Sequence, residues 1–452
     1  MKLRAFAPAA LLVAAAGCGS ILDVKPSTTV TTEDAITNPN SARSAQAGLY
    51  DALQSGSYYG GDFVLLMDLS SDNVQHSGTF TTYADADGVR LAADNTTVRA
   101  IWNAAYRTIG RANTLIARIP GVPLLDAAES GDIVGQARAA RALAYFDLLR
   151  VWGTAGATGG VPIRLTPALT IADVANVTRT DTAAVYAQIL VDLTAAQAGI
   201  TNTNPSRITV GFVRALRSKV HLYRRQWAAA RDEAAAVLAI SGYALAPTYQ
   251  ALFTADAART TEDIFRLAFT DQDGMNLGFY YLTRGLGGRR EVSPTLNLRN
   301  SFEAGDLRRD VTVGLSGSTR YGRKWPTPAG AEDVHVIRLA EVILNKAEAH
   351  AQLGEFAQAV TEYNKLRVRA GLAPHVLGVS VLPANVLTAV YRERRSELAL
   401  EGDRFPDLVR RGIFETVVGA QLSRTVPAFQ ARYPIPQQEL DVTPGLVQNP
   451  GY

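Results

Sequence analysis

Cys18 is the only cysteine in this chain of 452 residues. It stands directly after Ala15-Ala16-Gly17, at the end of an apolar run from Ala5 to Ala16 that Lys2 and Arg4 precede. A basic start, a short apolar stretch and a small-residue triplet make residues 1–17 a secretory signal peptide. The apolar run, with Pro8 inside it, is too short to span a bilayer as a helix. A thiol in that place is a lipid acceptor, and Cys18 is expected to begin the mature chain and to carry several acyl groups. At about 0.8 kcal/mol per buried methylene such an anchor is effectively permanent. A single cysteine leaves no intrachain disulfide to form.

Residues that could catalyse are poorly arranged. Among His76, His221, His335, His350 and His375 no two have the i, i+4 spacing of a helical zinc site. Gly314-Leu-Ser-Gly-Ser318 is not a nucleophile elbow, and Gly285-Leu-Gly-Gly288 lacks dinucleotide-binding spacing. No catalytic residue, and no enzyme activity, is expected. Asp85-Ala-Asp-Gly88 and Asp271-Gln-Asp-Gly274 have the carboxylates and the glycine turn that calcium favours. Neither has the full calcium-loop run, and solvated turns are the simpler reading, so no cofactor is expected.

Aromatic residues grouped with polar ones suggest binding instead. Tyr58, Tyr59, Tyr83, Tyr280, Tyr281, Tyr321 and Trp325 are accompanied by Asp62, Asp72, Asn73, Arg289, Arg290 and Arg323. A sugar ring has an apolar face for an aromatic to stack on and an edge of hydroxyls for amides, carboxylates and guanidinium groups. The candidate ligand contacts are Tyr58, Asp72, Asn73, Tyr83, Tyr281, Arg289, Tyr321 and Trp325. The competing reading is that several of these rings anchor loops.

The elements that must position them are helix pairs. From Val336 a helical pattern runs to Gly354, which ends it, and Phe356 starts a second helix. Ala347 and Ala351 face Ala359 and Tyr363, the tetratricopeptide arrangement of small residues where two helices touch. Residues 213–238 repeat it, with Ser218, Leu222, Trp227 and Ala230 at the equivalent places. Weaker pairs are Ser41–Leu53 with Val98–Ile119, and Asp132–Trp152 with Thr182–Gly199. The expected fold is mainly α, a tetratricopeptide-like helix-pair superhelix with long irregular loop excursions and few short strands. A single domain over residues 18–452 would hold pairs at about 41–119, 132–199, 209–240 and 334–370, and excursions at about 56–95 and 242–332. Asp263–Ala268 is a candidate strand in the second excursion. Net charge is +3 with acids and bases interspersed, so there is no basic stripe and no nucleic-acid partner is expected.

Segments spaced along the whole mature chain resemble the SusD/RagB family of outer-membrane nutrient-uptake lipoproteins. They are Leu22-Asp-Val-Lys-Pro26, the stretch from Ile101 to Asn113, and Gln136 to Arg150 followed by Gly160-Val-Pro-Ile163. Arg338-Leu-Ala-Glu341 with Ala347-Glu-Ala349, Arg367-Val-Arg-Ala-Gly371 and Glu393 to Leu408 follow, and the tail Tyr433-Pro-Ile-Pro436 to Gln448-Asn-Pro-Gly-Tyr452 closes the set. Thr154–Thr158 and Pro406 depart from the family pattern. The resemblance implies a surface-exposed lipoprotein of the bacterial outer membrane. It would capture an oligosaccharide or similar oligomeric nutrient and deliver it to a SusC-like TonB-dependent barrel transporter. The alternative is a tetratricopeptide adaptor that binds protein segments at the outer membrane. The Ala142, Tyr145, Leu149, Trp152 and Trp102, Tyr106, Ile109 stripes are core faces, and the charged motif residues are ion pairs that fix helices.

Overall fold

The computed structural model describes residues 35–168, 170, 173, 177–254 and 260–452. The signal peptide, Cys18 and the Leu22–Pro26 segment lie outside the described residues. The chain opens with α1 (Pro39–Gln54) and enters the first excursion, which holds α2 (Asp62–Leu69), β1 (Val74–His76) and α3 (Thr81–Asp87). Long helices follow: α4 (Thr96–Arg118), α5 (Ala127–Trp152), α6 (Thr182–Gly199), α7 (Val210–Tyr223) and α8 (Trp227–Leu238). The second excursion contains β2 (Asp263–Leu267), α9 (Leu277–Tyr281), β3 (Val292–Pro294), α10 (Leu296–Ser301), α11 (Arg308–Thr312), β4 (Val313–Ser316) and β5 (Thr319–Gly322). Next, β6 (Val334–Arg338) leads into α12 (Leu339–Gln352) and α13 (Phe356–Arg369). The C-terminal part carries α14 (Val386–Leu398), α15 (Arg404–Arg410), α16 (Phe414–Leu422) and α17 (Gln437–Val442).

The architecture is mainly helical, as the periodicity predicts, and the strands form three two-stranded antiparallel sheets. Side-chain caps set the helix starts: Asn38, Asn95, Asp126, Asp181 and Thr209 each accept from backbone N–H groups of the first turn. Helices pair as α1 with α4, α5 with α6, α7 with α8 and α12 with α13. Helix α5 is buried on all sides from Ala139 to Trp152, which makes it the axis of the core. Small residues let the pairs close. Ser218 donates to the Ala230 carbonyl at 2.8 Å across the α7/α8 contact, and Ala347, Ala359 and Tyr363 pack together in the α12/α13 contact. Ala349 joins Leu222 and Ala230, so α12 stacks on the α7/α8 pair.

Two expectations change. Val336 lies in β6, paired with β2, and the helix starts only at Leu339. The β-branched run Val334–Ile337 takes the strand because Asp263–Leu267 offers it a partner. The first excursion is also less irregular than expected. In α2 every residue from Phe63 to Leu69 is buried, so this apolar run is part of the core.

Two buried polar assemblies hold the C-terminal third in place. Glu397 on α14 receives Arg338 at 2.5 Å, Arg308 at 3.2 Å and also Arg369, while Glu262 receives Arg338 at 2.8 Å and Arg369 at 2.6 Å. Burial opposes ionisation of Glu397, but the three guanidinium groups outweigh it and hold the carboxyl well below its ordinary range. Lys324, fully buried, reaches Glu401 at 2.5 Å and lies over the Phe253 ring at 4.6 Å; burial pulls its ammonium down to about 8. The second assembly binds the tail. Trp152 Nε1 donates to the Pro434 carbonyl at 2.8 Å, and Asn449 Nδ2 donates to the carbonyls of Trp152 at 2.9 Å and Tyr433 at 2.7 Å. Arg179 donates to Asn449 Oδ1 at 2.6 Å, and Tyr433 Oη and Ser70 Oγ are 2.7 Å apart.

Candidate functional site

The two excursions meet through the β1–β3 ladder, in which Val74 pairs with Pro294, Gln75 with Ser293 and His76 with Val292. Beyond the ladder the Ser77 N–H donates to the Glu291 carbonyl at 2.8 Å. The Glu291 carboxylate accepts from the backbone N–H groups of Thr79 at 2.8 Å and Phe80 at 3.1 Å and from Arg289 Nε at 2.5 Å. Burial works against its charge, yet these donors hold the carboxyl below its ordinary value. Gly78 is required here, because a Cβ would stand 2.1 Å from Glu291 Oε2.

Above this junction opens a cleft of about 730 Å³. Its walls are Ser77 to Thr79 from the first excursion, Thr283 to Gly285 and Arg289 to Glu291 from the second, and Ser316 and Thr319 from the β4–β5 hairpin. The size suits a small ligand, and both excursions contribute. Two other clefts, of about 450 and 550 Å³, are lined by no residue of the first excursion. The most enclosed void, about 30 Å³, lies among buried ion pairs and has room only for water.

Aromatic rings border the cleft. The Arg289 guanidinium lies 4.3 Å from the Phe80 ring centre, and Phe80 meets Tyr83 at 5.4 Å and Tyr280 at 5.6 Å, each edge to face. Phe279 lies 5.6 Å from Tyr280 and is 37% exposed. Tyr321 is two residues beyond Thr319 on β5, hence on the same face of that strand, and it is half-buried over Gly314. The lining itself offers hydroxyls and guanidinium groups, with the rings packed beside it.

Of the residues expected from the sequence, Arg289 lines this cleft and Tyr321 flanks it. Tyr58, Tyr83, Tyr281 and Trp325 do not face it, being at most 2% exposed. Their hydroxyls are committed inside: Tyr58 to Asp147 at 2.6 Å, Tyr83 to Asp62 at 2.6 Å and Tyr281 to Asp68 at 3.4 Å. Asp72 and Asn73 are also buried. Asp72 binds Arg404 at 2.7 Å and Arg395 at 2.8 Å, and Asn73 accepts from Arg395 at 3.0 Å. These six side chains present no surface to a ligand in this structure, and Tyr58, Asp72 and Asn73 tie the first excursion to the helical body. Sequence reasoning missed Phe80, Phe279, Thr79 and Arg284. The adjacent triple Phe279-Tyr280-Tyr281 was the available signal, since a short helix cannot bury three consecutive rings on one face. Among the described residues no cluster of three or more His, Cys, Asp or Glu is placed to hold a metal ion. No helix among them is long and apolar enough to cross a membrane.

Two family models match the chain, one described as SusD family over residues 308–452 and one as starch-binding associating with outer membrane over residues 21–220. A SusD-like protein of Formosa agariphila is 26% identical over 470 residues, covering 89% of this chain and 90% of its own. The starch-binding protein SusD of Bacteroides thetaiotaomicron is 33% identical over 207 residues, covering 44% of this chain and 34% of its own. Among solved structures, a laminarin-binding SusD-like protein superposes with a TM-score of 0.80 at 26% identity, covering 92% of this chain and all of its own. A SusD superfamily protein from Bacteroides thetaiotaomicron gives 0.80 at 25% identity, covering 93% of this chain.

Proposed function

The chain belongs to the SusD/RagB family, and from that membership we propose that it is a surface-exposed, lipid-anchored outer-membrane protein that captures an oligosaccharide for a TonB-dependent transporter. The observation that carries the reading is the cleft at the junction of the two excursions, with hydroxyls and guanidinium groups around one space and aromatic rings packed beside it. Relatives that bind laminarin and starch support a glycan as the ligand class. Binding and release without covalent chemistry is the mechanism. Preformed ring and hydroxyl contacts hold the ligand while the buried anchors keep the loops fixed, which limits the ordering cost of binding. An adaptor role is less well supported, because α12 is buried against α7, α8, α13 and α14, and its faces are not open for a peptide.

Isothermal titration of the mature protein with a panel of neutral and charged oligosaccharides tests the glycan reading. Phe279→Ala with Tyr280→Ala is expected to weaken the binding partner found by about tenfold, the worth of about 1.4 kcal/mol of lost ring contact, with the melting temperature unchanged. Trp325→Ala is expected to do the reverse. It should leave binding intact and lower stability by about 3–5 kcal/mol, as loss of a buried ring does. Silence across the whole panel, or binding indifferent to the Phe279/Tyr280 change, would overturn this assignment of the site.

A further inference from the structure

We propose, resting on the glycan reading of the cleft, that its ligand is an anionic sugar chain, bound through carboxylate or sulfate groups by Arg284 and Arg290. The lining carries three cations, Arg284, Arg289 and Arg290, against one carboxylate, Glu291. That carboxylate is already saturated, by two backbone N–H groups and by Arg289. Arg289 is likewise spent, on Glu291, on Thr79 Oγ1 at 2.7 Å and on the Phe80 ring. Arg284 and Arg290 remain, and among the described residues neither side chain has an ion-pair or hydrogen-bond partner. The cleft therefore holds two uncompensated guanidinium groups, whereas the buried Arg338, Arg404 and Arg410 are each matched to carboxylates.

The backbone adds a second observation. Arg290 sits at φ +55°, in the left-handed region that arginine seldom adopts and that asparagine or glycine fills at less cost. Its carbonyl accepts from Ser77 Oγ at 2.9 Å, which ties this strained residue to the opposite wall. The Arg290 guanidinium has neither an acid nor a carbonyl as partner among the described residues, an arrangement that gives nothing to stability. A planar guanidinium presents a fork that matches carboxylate and sulfate oxygens two at a time, and such charge-assisted pairs are about twice as strong as neutral ones. A neutral glucan would leave both cations without a counter-charge once the cleft filled and shed its water. The hydroxyls of Ser316 and Thr319 on the facing hairpin supply contacts to the sugar itself. Recognition of this kind selects for charge along the chain rather than for one monosaccharide.

The test uses the full mature chain and three oligomers of matched length: a galacturonate, a sulfated galactan and a neutral β-glucan. Affinities are measured at low and at high salt. At about 50 mM NaCl at least one charged oligomer is expected to bind about tenfold or more tighter than the neutral one, and the gap should shrink to about threefold or less at about 0.5 M, where screening is short-ranged. Which charged oligomer wins separates carboxylate from sulfate. Arg284→Gln with Arg290→Asn removes both charges and suits the backbone at both positions, and it is expected to abolish the discrimination with the melting temperature retained. Equal or tighter binding of the neutral oligomer by the unaltered protein would overturn the inference and leave the glycan reading standing, whatever the variant does. Discrimination that persists in a folded variant would overturn it too. Failure of all three oligomers to bind would overturn both.

Discussion

At the scale of single residues, the interior is organised by charge as much as by apolar packing. Asp68 on α2 is buried; its Oδ2 accepts from the Gly402 N–H at 3.3 Å and the Tyr281 hydroxyl at 3.4 Å, and its Oδ1 has no partner. Gly402 holds φ +74°, with a Cβ position 3.1 Å from Val64 Cα, so only glycine brings that N–H to the carboxylate. Burial lifts the Asp68 carboxyl to about 7. The sign follows from the proton count. Between its ordinary value of 3.8 and about 7 the native protein holds a proton that the unfolded chain has lost. The stabilising contribution is therefore complete below the lower value and disappears as pH rises through the upper one. Asp68→Asn should remove this dependence, so the variant gains on the parent by on the order of a few kcal/mol between about pH 4 and pH 8. Urea unfolding at intervals across that range checks it, and parallel stability curves would refute it. The same burial explains why the sequence was a poor guide to the site. A tyrosine beside glycine and aspartate has the same composition whether its ring meets a sugar or, like Tyr58, a buried aspartate such as Asp147. Only tertiary placement separates Arg289, which lines the cleft, from Asp72, which is closed off by Arg395 and Arg404.

Among elements, the helices were legible because each carries a local signal: a capping side chain, a 3.6-residue stripe or a terminal glycine such as Gly354 at φ +77°. Of the strands, β2 was legible at Asp263–Leu267, where Asp263–Ala268 was expected, but a three-residue ladder such as β1–β3 has too few residues for a period and joins segments more than 200 positions apart. The charged motif read as helix-fixing ion pairs proves to be a joint between elements. Through Glu397, α14 meets α11, β6 and α13 by way of Arg308, Arg338 and Arg369. Glu397→Ala would leave these buried cations short of a counter-charge. A loss on the order of 3–5 kcal/mol is expected, typical for removal of one partner from a buried pair. A urea midpoint shift, with secondary structure retained in buffer, is the measurement; a change within error would mean that the arginines find other acceptors. Glu262, already bonded to Arg338 and Arg369, limits that escape.

For the whole molecule, the proposed role requires a partner. A binder fixed to a membrane by lipid at Cys18 cannot itself move a nutrient across it, so a channel must accept the cargo. Mild detergent extraction from the native cells should recover a large barrel protein with this chain, through an interface of roughly 1,600 Å² or more. Cys18→Ala should release the protein or leave it unprocessed, as judged by lipid labelling and fractionation. Recovery of the chain alone in several mild detergents would argue against the transporter role, and normal anchoring of the variant against the lipid site. The tail has a different kind of consequence, in the timing of assembly. Tyr433 meets Ser70 across 363 positions and Asn449 meets Trp152 across 297. Contacts of such separation form late and slowly, and these cannot form at all until Tyr433 and Asn449 have been made. An exported chain must stay unfolded until it has passed the inner membrane. On the proposed export route, a lock whose two halves lie about 300 positions apart would leave the helices unsealed until its second half arrives. Tyr452, whose ring meets Phe429 edge to face at 5.0 Å and whose hydroxyl donates to the Arg432 carbonyl, is a further component of that lock. An affinity tag on this protein therefore belongs on an exposed loop, away from residues 433–452 that form the latch.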